Sequence, residues 1–136
     1  MPQAVPARRR ILIIDDHPLV RRGLTALINA EPDLIVCAEA ANPREGLEVI
    51  AGARPDLAVV DLSFRNGDGF ELVRGIRAIQ DGPPVLALTM HETPLYVRRA
   101  FAAGASGYIA KREPPETLLI AIRSVLRGEA YGAPAA

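Results

Sequence analysis

The sequence predicts an α/β fold, a doubly wound parallel sheet of five strands carrying five helices, and three observations lead there. Short β-rich runs alternate strictly with patterns of 3.6-residue periodicity. Most of the runs are continuously apolar rather than alternating, as strands covered on both faces are. The connections are a few residues long, and right-handed crossovers of that length leave the helices packed on the two faces of one sheet.

The β-rich runs are residues 11–14, 34–38, 57–60, 85–88 and 107–110. The apolar stripes between and after them are Val20, Leu24, Leu27 and Ile28; Leu47, Ile50 and Ala51; Leu72, Ile76 and Ile79; Val97, Ala100 and Phe101; and Leu118, Ile122 and Val125. Punctuation agrees. Asn42-Pro43 reads as an N-cap followed by proline in the first turn, Pro18 and Pro94 open helices in the same way, and Gly52, Gly104 and Gly128 are placed to close them. Residues 1–9 form a Pro-, Ala- and Arg-rich lead-in, residues 10–128 the domain, and residues 129–136 the start of a linker or tail.

Composition removes several classes of function. With 136 residues and an apolar share of 49%, the chain can build one sizeable core. Sixteen basic and sixteen acidic residues cancel, so no broad positive field draws it to nucleic acid or an anionic membrane. No apolar stretch approaches the roughly 20 residues that span a bilayer, and the single cysteine, Cys37, in an apolar run, reads as a small buried thiol. The expectation is a soluble cytoplasmic protein without disulfides. Of the sixteen basic residues fifteen are Arg, and Lys111 is the one Lys.

In a doubly wound sheet the ligand crevice lies beyond the carboxyl ends of the strands. Asp15-Asp16, Asp61, Thr89 and Lys111 follow the first, third, fourth and fifth runs. Singly each has a plain reading: Asp15 or Asp16 as a helix cap, Asp61 as a turn residue, Thr89 as another cap, Lys111 as surface charge. Together, three carboxylates repel one another unless a cation sits among them, and an oxygen-only site suits Mg²⁺. Asp61, central in such a site, would be the nucleophile toward a phosphoryl group, with Lys111 and Thr89 contacting its oxygens. His17 and His91 flank the crevice without a second His or Cys at ligand spacing, which argues against a metal role. Gly67-Asp68-Gly69 fits a tight turn opening a helix better than a phosphate-cradling loop.

These residues resemble the receiver family of two-component response regulators, and more narrowly its NarL/FixJ (LuxR-type) subgroup. The likeness rests on Ile11-Leu12-Ile13-Ile14-Asp15-Asp16-His17-Pro18-Leu19-Val20-Arg21-Arg22-Gly23-Leu24, on Val59-Val60-Asp61-Leu62-Ser63, and on Ala103-Gly104-Ala105-Ser106-Gly107-Tyr108-Ile109-Ala110-Lys111. The resemblance implies a flavodoxin-like strand order, 2-1-3-4-5. It implies that Asp61 accepts a phosphoryl group from a sensor histidine kinase, that Asp16, Asp61 and the Ser63 carbonyl bind Mg²⁺ with Asp15 acting largely through water, and that Thr89 and Lys111 hold phosphoryl oxygens. Tyr108 resembles the family's rotating switch aromatic, moving inward as Thr89 is drawn toward phosphate. Such a protein is an acceptor rather than a turnover enzyme, though it can speed its own dephosphorylation.

The subgroup's carboxyl-terminal helix-turn-helix, through which members bind DNA to regulate transcription, does not occur in this sequence, and the tail fits a linker toward it. The last helix is apolar almost all round (Leu118, Leu119, Ile120, Ile122, Val125, Leu126), which predicts a homodimer or partner surface. Three features depart from the family pattern: Phe64-Arg65 replaces Met-Pro, Met90 replaces a small residue, and Arg112 rather than Pro follows Lys111. The first two motivate an alternative, a degenerate receiver that works as a binding module without phosphorylation. A phosphatase of haloacid-dehalogenase type would need an Asp-x-Asp pair on the first strand, and adjacent Asp15-Asp16 do not supply it.

Overall fold

The structure, a computed structural model, describes residues 7–63, 68–90 and 93–133. Strands and helices alternate: β1 (Arg9–Ile14), α1 (Pro18–Asn29), β2 (Leu34–Ala40), α2 (Pro43–Ala53), β3 (Leu57–Asp61), α3 (Gly69–Arg77), β4 (Val85–Thr89), α4 (Pro94–Ala103), β5 (Gly107–Ala110) and α5 (Pro115–Leu126). The strands form one parallel sheet in the order β2-β1-β3-β4-β5, so the expected fold class and strand order hold.

Alternation along the strands splits the core in two. Leu12, Ile14, Ala58, Val60, Val85, Ala87 and Tyr108 face α2, α3 and α4, whereas Ile11, Ile13, Leu57, Val59, Leu86, Leu88 and Ile109 face α1 and α5. The strand order reverses between β1 and β3, and this is where a parallel sheet opens a crevice at its carboxyl edge.

Several local expectations change. Gly52 lies inside α2, which instead ends at Arg54 in the left-handed region (φ 49°), because Pro55 has no amide to continue the helix. On the same helix Leu47 and Ala51 are exposed and the inward positions are Gly46 and Ile50. A side chain at Gly46 would collide with Ile14, so the helix approaches β1 on that glycine and its buried face is rotated. Cys37 is half-buried, because β2 bulges there: Ile11 pairs with Val36 and Leu12 with Ala38. Desolvation still pushes its thiol pKa up.

The apolar excess of α5 goes mostly into the core. Leu118, Leu119, Ile122 and Val125 are buried and Leu126 packs against them, which leaves Ile120 as the exposed large side chain of the helix. Beyond α5, Tyr131 lies parallel to Gly107 in an isolated bridge. Its amide donates to the Ser106 carbonyl (3.2 Å) and its carbonyl accepts from the Tyr108 amide (2.9 Å), so the segment extends the sheet past β5.

An ion-pair cluster ties α5 to the turn before β2. Arg123 donates to both oxygens of Asp33 (3.0 and 2.9 Å) and to Glu31 (2.7 Å). The guanidinium hydrogen bond holds the Asp33 carboxyl below its ordinary value of about 3.8. A lowered folded-state pKa contributes stability above the unfolded value and loses it as pH falls through the folded one. Arg123→Ala should therefore lower the urea midpoint at neutral pH, with the gap to the parent closing as pH falls through the lowered Asp33 pKa; a gap independent of pH would show that only packing was lost.

Gly69, the first residue of α3, marks a second tight approach. A Cβ there would come 2.7 Å from the Leu62 Cα, against backbone that cannot swing away. Gly69→Ala should destabilise the protein by about 1–3 kcal/mol, read by denaturant unfolding; a neutral result would mean that the β3–α3 turn shifts freely.

Candidate functional site

The parallel register assembles the site. Ile14 lies opposite Val60, Asp61 opposite Leu88, and Thr89 opposite Ala110, so the residues that end or follow these strands emerge side by side. Backbone bonds fix the edge: the Asp15 amide donates to the Ala40 carbonyl (3.0 Å), Leu62 to Leu88 (2.9 Å) and Lys111 to Thr89 (2.7 Å). Asp15 and Asp61 are each 1% exposed and Thr89 is fully buried.

The Lys111 ammonium sits 2.7 Å from Asp61 Oδ2 and 3.7 Å from Asp15 Oδ2. The other Asp61 oxygen accepts from the Ser63 amide (2.9 Å), which turns the chain sharply after β3. Asp15 Oδ1 accepts from the His17 amide (2.8 Å), while Asp15 Oδ2 is buried without a hydrogen bond. Burial, seconded by the Asp61 charge, raises the Asp15 pKa against the hydrogen bonds and Lys111 that lower it.

Asp15, Asp16, Asp61, Thr89 and Lys111 thus meet in one crevice; Asp61 also turns the chain, while the plain readings of the other four give way. The N-cap of α1 is His17, with no side-chain capping bond, and the N-cap of α4 is Thr93; neither Asp15-Asp16 nor Thr89 caps a helix. Asp68 caps α3 by accepting from the Phe70 and Glu71 amides, so the Asp68-Gly69 part of the glycine motif opens a helix. Tyr108 is 6% exposed and packed under α4. Met90 is 73% exposed and borders a cleft of about 250 Å³ with Thr89, Ala110, Lys111 and Arg112. The bond from Lys111 to Arg112 is trans. Phe64-Arg65, Gly67 and His91 lie outside the described residues.

His17 is nearer the chemistry than its spacing suggested. Its Nδ1 is 3.0 Å from Asp16 Oδ1, 3.3 Å from Asp15 Oδ1 and 3.7 Å from Asp61 Oδ2, and one ligand atom from each of the four residues falls within 4.8 Å of the others. Search for a second His or Cys missed it because the carboxylates supply the remaining donors. Tyr96 was missed too: its phenol shares a hydrogen bond with the Thr89 side chain. The spacing Tyr96, Ala100, Ala103 marks the same inward face of α4 and could have revealed it.

The donor set fits a hard divalent cation. Its atoms are mainly carboxylate oxygens, one of them buried and unbonded, and Lys111 offsets only one of three negative charges.

The family model for the response regulator receiver domain matches residues 11–123. Among curated proteins the chain is 35% identical over 124 residues to the transcriptional regulatory protein UhpA of Salmonella typhimurium, covering 91% of this chain and 62% of that one. It is 37% identical over 125 residues to the oxygen regulatory protein NreC of Staphylococcus aureus, covering 90% and 57%. The chain therefore spans less than two thirds of the length of these relatives. A LuxR-family two-component response regulator from Aurantimonas sp. SI85-9A1 superposes with a TM-score of 0.87 at 38% identity, covering 94% of this chain and 91% of that one. The signal receiver domain of the putative response regulator NarL from Mycobacterium tuberculosis superposes with a TM-score of 0.85 at 28% identity, covering 91% and 100%.

Asp15→Asn keeps an oxygen for the His17 amide and removes one buried charge. In the presence of a chelator it should raise stability by about 1–2 kcal/mol, measured by thermal melts. Added Mg²⁺ should then raise the melting temperature less than in the parent. A variant that melts below the parent without cation would show that the carboxylates do not strain the fold.

Proposed function

Because the chain belongs to the response regulator receiver domain family, we propose that Asp61 is its phosphoacceptor and that phosphorylation switches the surface formed by α4, β5 and α5. The observation that carries this reading is a buried carboxylate with an ammonium 2.7 Å away, a buried hydroxyl on the neighbouring strand end and two further carboxylates beside it.

Asp61 attacks the phosphorus of a phosphohistidine on a sensor histidine kinase. The new bond is carboxylate oxygen to phosphorus, the bond broken is phosphorus to imidazole nitrogen, and the imidazole leaves with its electron pair. No general base is required, since a carboxylate has no proton to lose. Mg²⁺, when bound, supplies charge neutralisation for the phosphoryl oxygens. Asp16, Asp61 and the Ser63 carbonyl would hold it, with Asp15 acting largely through water. Lys111, already beside Asp61 Oδ2, takes a phosphoryl oxygen as a compact charge, and the Thr89 hydroxyl takes another. The same groups serve water attack on the acyl phosphate, so the domain can hasten its own dephosphorylation.

Tyr108, buried under α4, is the aromatic that follows Thr89. Its repacking would alter the α4–β5–α5 face and so homodimerisation in the cytoplasm. Control of transcription through a further DNA-binding domain is supported by the names of the relatives, which are longer than this chain. Among the described residues no helix is long and apolar enough to cross a membrane.

Incubation with acetyl phosphate and Mg²⁺ should add one phosphoryl group to the intact mass. Asp61→Asn and chelation of the cation should each abolish it. An unmodified parent, or an Asp61→Asn variant modified to the same extent, would overturn the assignment.

A further inference from the structure

The backbone holds His17 over the crevice. Its amide donates to Asp15 Oδ1 (2.8 Å) and its carbonyl accepts from the Arg21 amide (2.9 Å), so the residue is anchored on both sides at the start of α1. Pro18, which follows it, favours the extended conformation it adopts (φ −96°, ψ 107°). The ring makes no capping bond to the helix. Its Nδ1 lies instead 3.0 Å from Asp16 Oδ1, 3.3 Å from Asp15 Oδ1 and 3.7 Å from Asp61 Oδ2.

These separations are those of donors around one ion. Atoms about 2.1 Å from an octahedral ion lie about 3.0 Å apart when adjacent and about 4.2 Å apart when opposite, and all three distances lie within that range. A second observation points to a ligand: Asp15, 1% exposed, has its Oδ2 buried without a hydrogen bond, 3.7 Å from the Lys111 ammonium inside the crevice. The donor set is therefore mixed. Carboxylate oxygens suit Mg²⁺, which keeps several waters and takes few protein ligands. An imidazole nitrogen adds affinity for first-row transition ions, rising from Mn²⁺ through Co²⁺ to Cu²⁺. Neutral imidazole with its hydrogen on Nε2 has a lone pair to give at Nδ1.

We infer that His17 is a metal ligand through Nδ1, and that it makes the crevice hold an octahedral transition ion more tightly than Mg²⁺. This rests on the cation site proposed above, not on phosphorylation of Asp61, and adds to its oxygen donors a nitrogen that selects the class of ion. An imidazole that merely pairs with the carboxylates predicts the opposite sign. It would compete with every entering cation, so its loss would tighten Mg²⁺ and transition ions alike.

The test compares the parent with His17→Phe, using Co²⁺ and Mg²⁺ as separate probes, by calorimetric titration and by proton NMR of the Co²⁺-loaded proteins. The parent should bind Co²⁺ at least about tenfold more tightly than Mg²⁺ and show imidazole ring protons shifted far outside their ordinary range by the paramagnetic ion. His17→Phe should lose those resonances and about tenfold or more in Co²⁺ affinity, while its Mg²⁺ affinity stays within about threefold of the parent's. A parent without shifted ring protons, shifted ring protons that persist in the variant, or affinities for the two ions that change together would overturn the inference. A parent that binds neither ion would instead overturn the cation site, and the inference with it.

Discussion

Two buried carboxylates that the sheet cannot keep apart govern this molecule. Ile14 and Val60 are register partners, so Asp15 and Asp61 leave the sheet next to each other, each 1% exposed. Like charges within 4.8 Å repel by about 3 kcal/mol at an effective dielectric near 20. Lys111 opposes this from β5, but one ammonium against Asp15, Asp16 and Asp61 leaves an excess equal to the charge of a divalent cation. The crevice is thus an electrostatic deficit held open by backbone hydrogen bonds. What it favours is a hard divalent cation, which removes that excess.

The rest of the fold holds the deficit in place. Both faces of the sheet are sealed by apolar side chains, so Asp15, Asp61 and Thr89 cannot turn away to water without exposing core. Asp61 and Asp15 each spend one oxygen on a turn amide, Ser63 and His17 respectively, which aims their other oxygens into the crevice. His17 leans over all three carboxylates, so any cation entering shares or displaces an imidazole.

Routes from the crevice to the surface run through side chains of α4 and β5. Tyr96 meets Phe70 edge-on, while Tyr108 lies under α4 with its amide bound to the Tyr131 carbonyl. The segment after α5 is therefore in backbone contact with the strand that bears Tyr108. α5 itself commits most of its apolar surface inward and is braced at its far end by Arg123 against Glu31 and Asp33. Little surplus apolar surface of α5 is therefore left outside the core, Ile120 being its exposed large side chain.

Strand alternation, helix stripes and the residues at the ends of β1, β3, β4 and β5 were legible in the sequence, because period and strand polarity are local properties that decide which residues reach the crevice. So were the acidic cluster and the lone lysine opposite it. Distances were not. His17 joined the carboxylates because Asp15 turns the chain back on its amide, Gly46 rotated α2 because β1 lies against it, and Tyr96 found Thr89 because Phe70 and Arg99 fix its ring. Each depends on segments far apart in the chain meeting at a definite angle. Composition and spacing determined which chemical groups assemble at the sheet edge; only packing in three dimensions decided which of them touch.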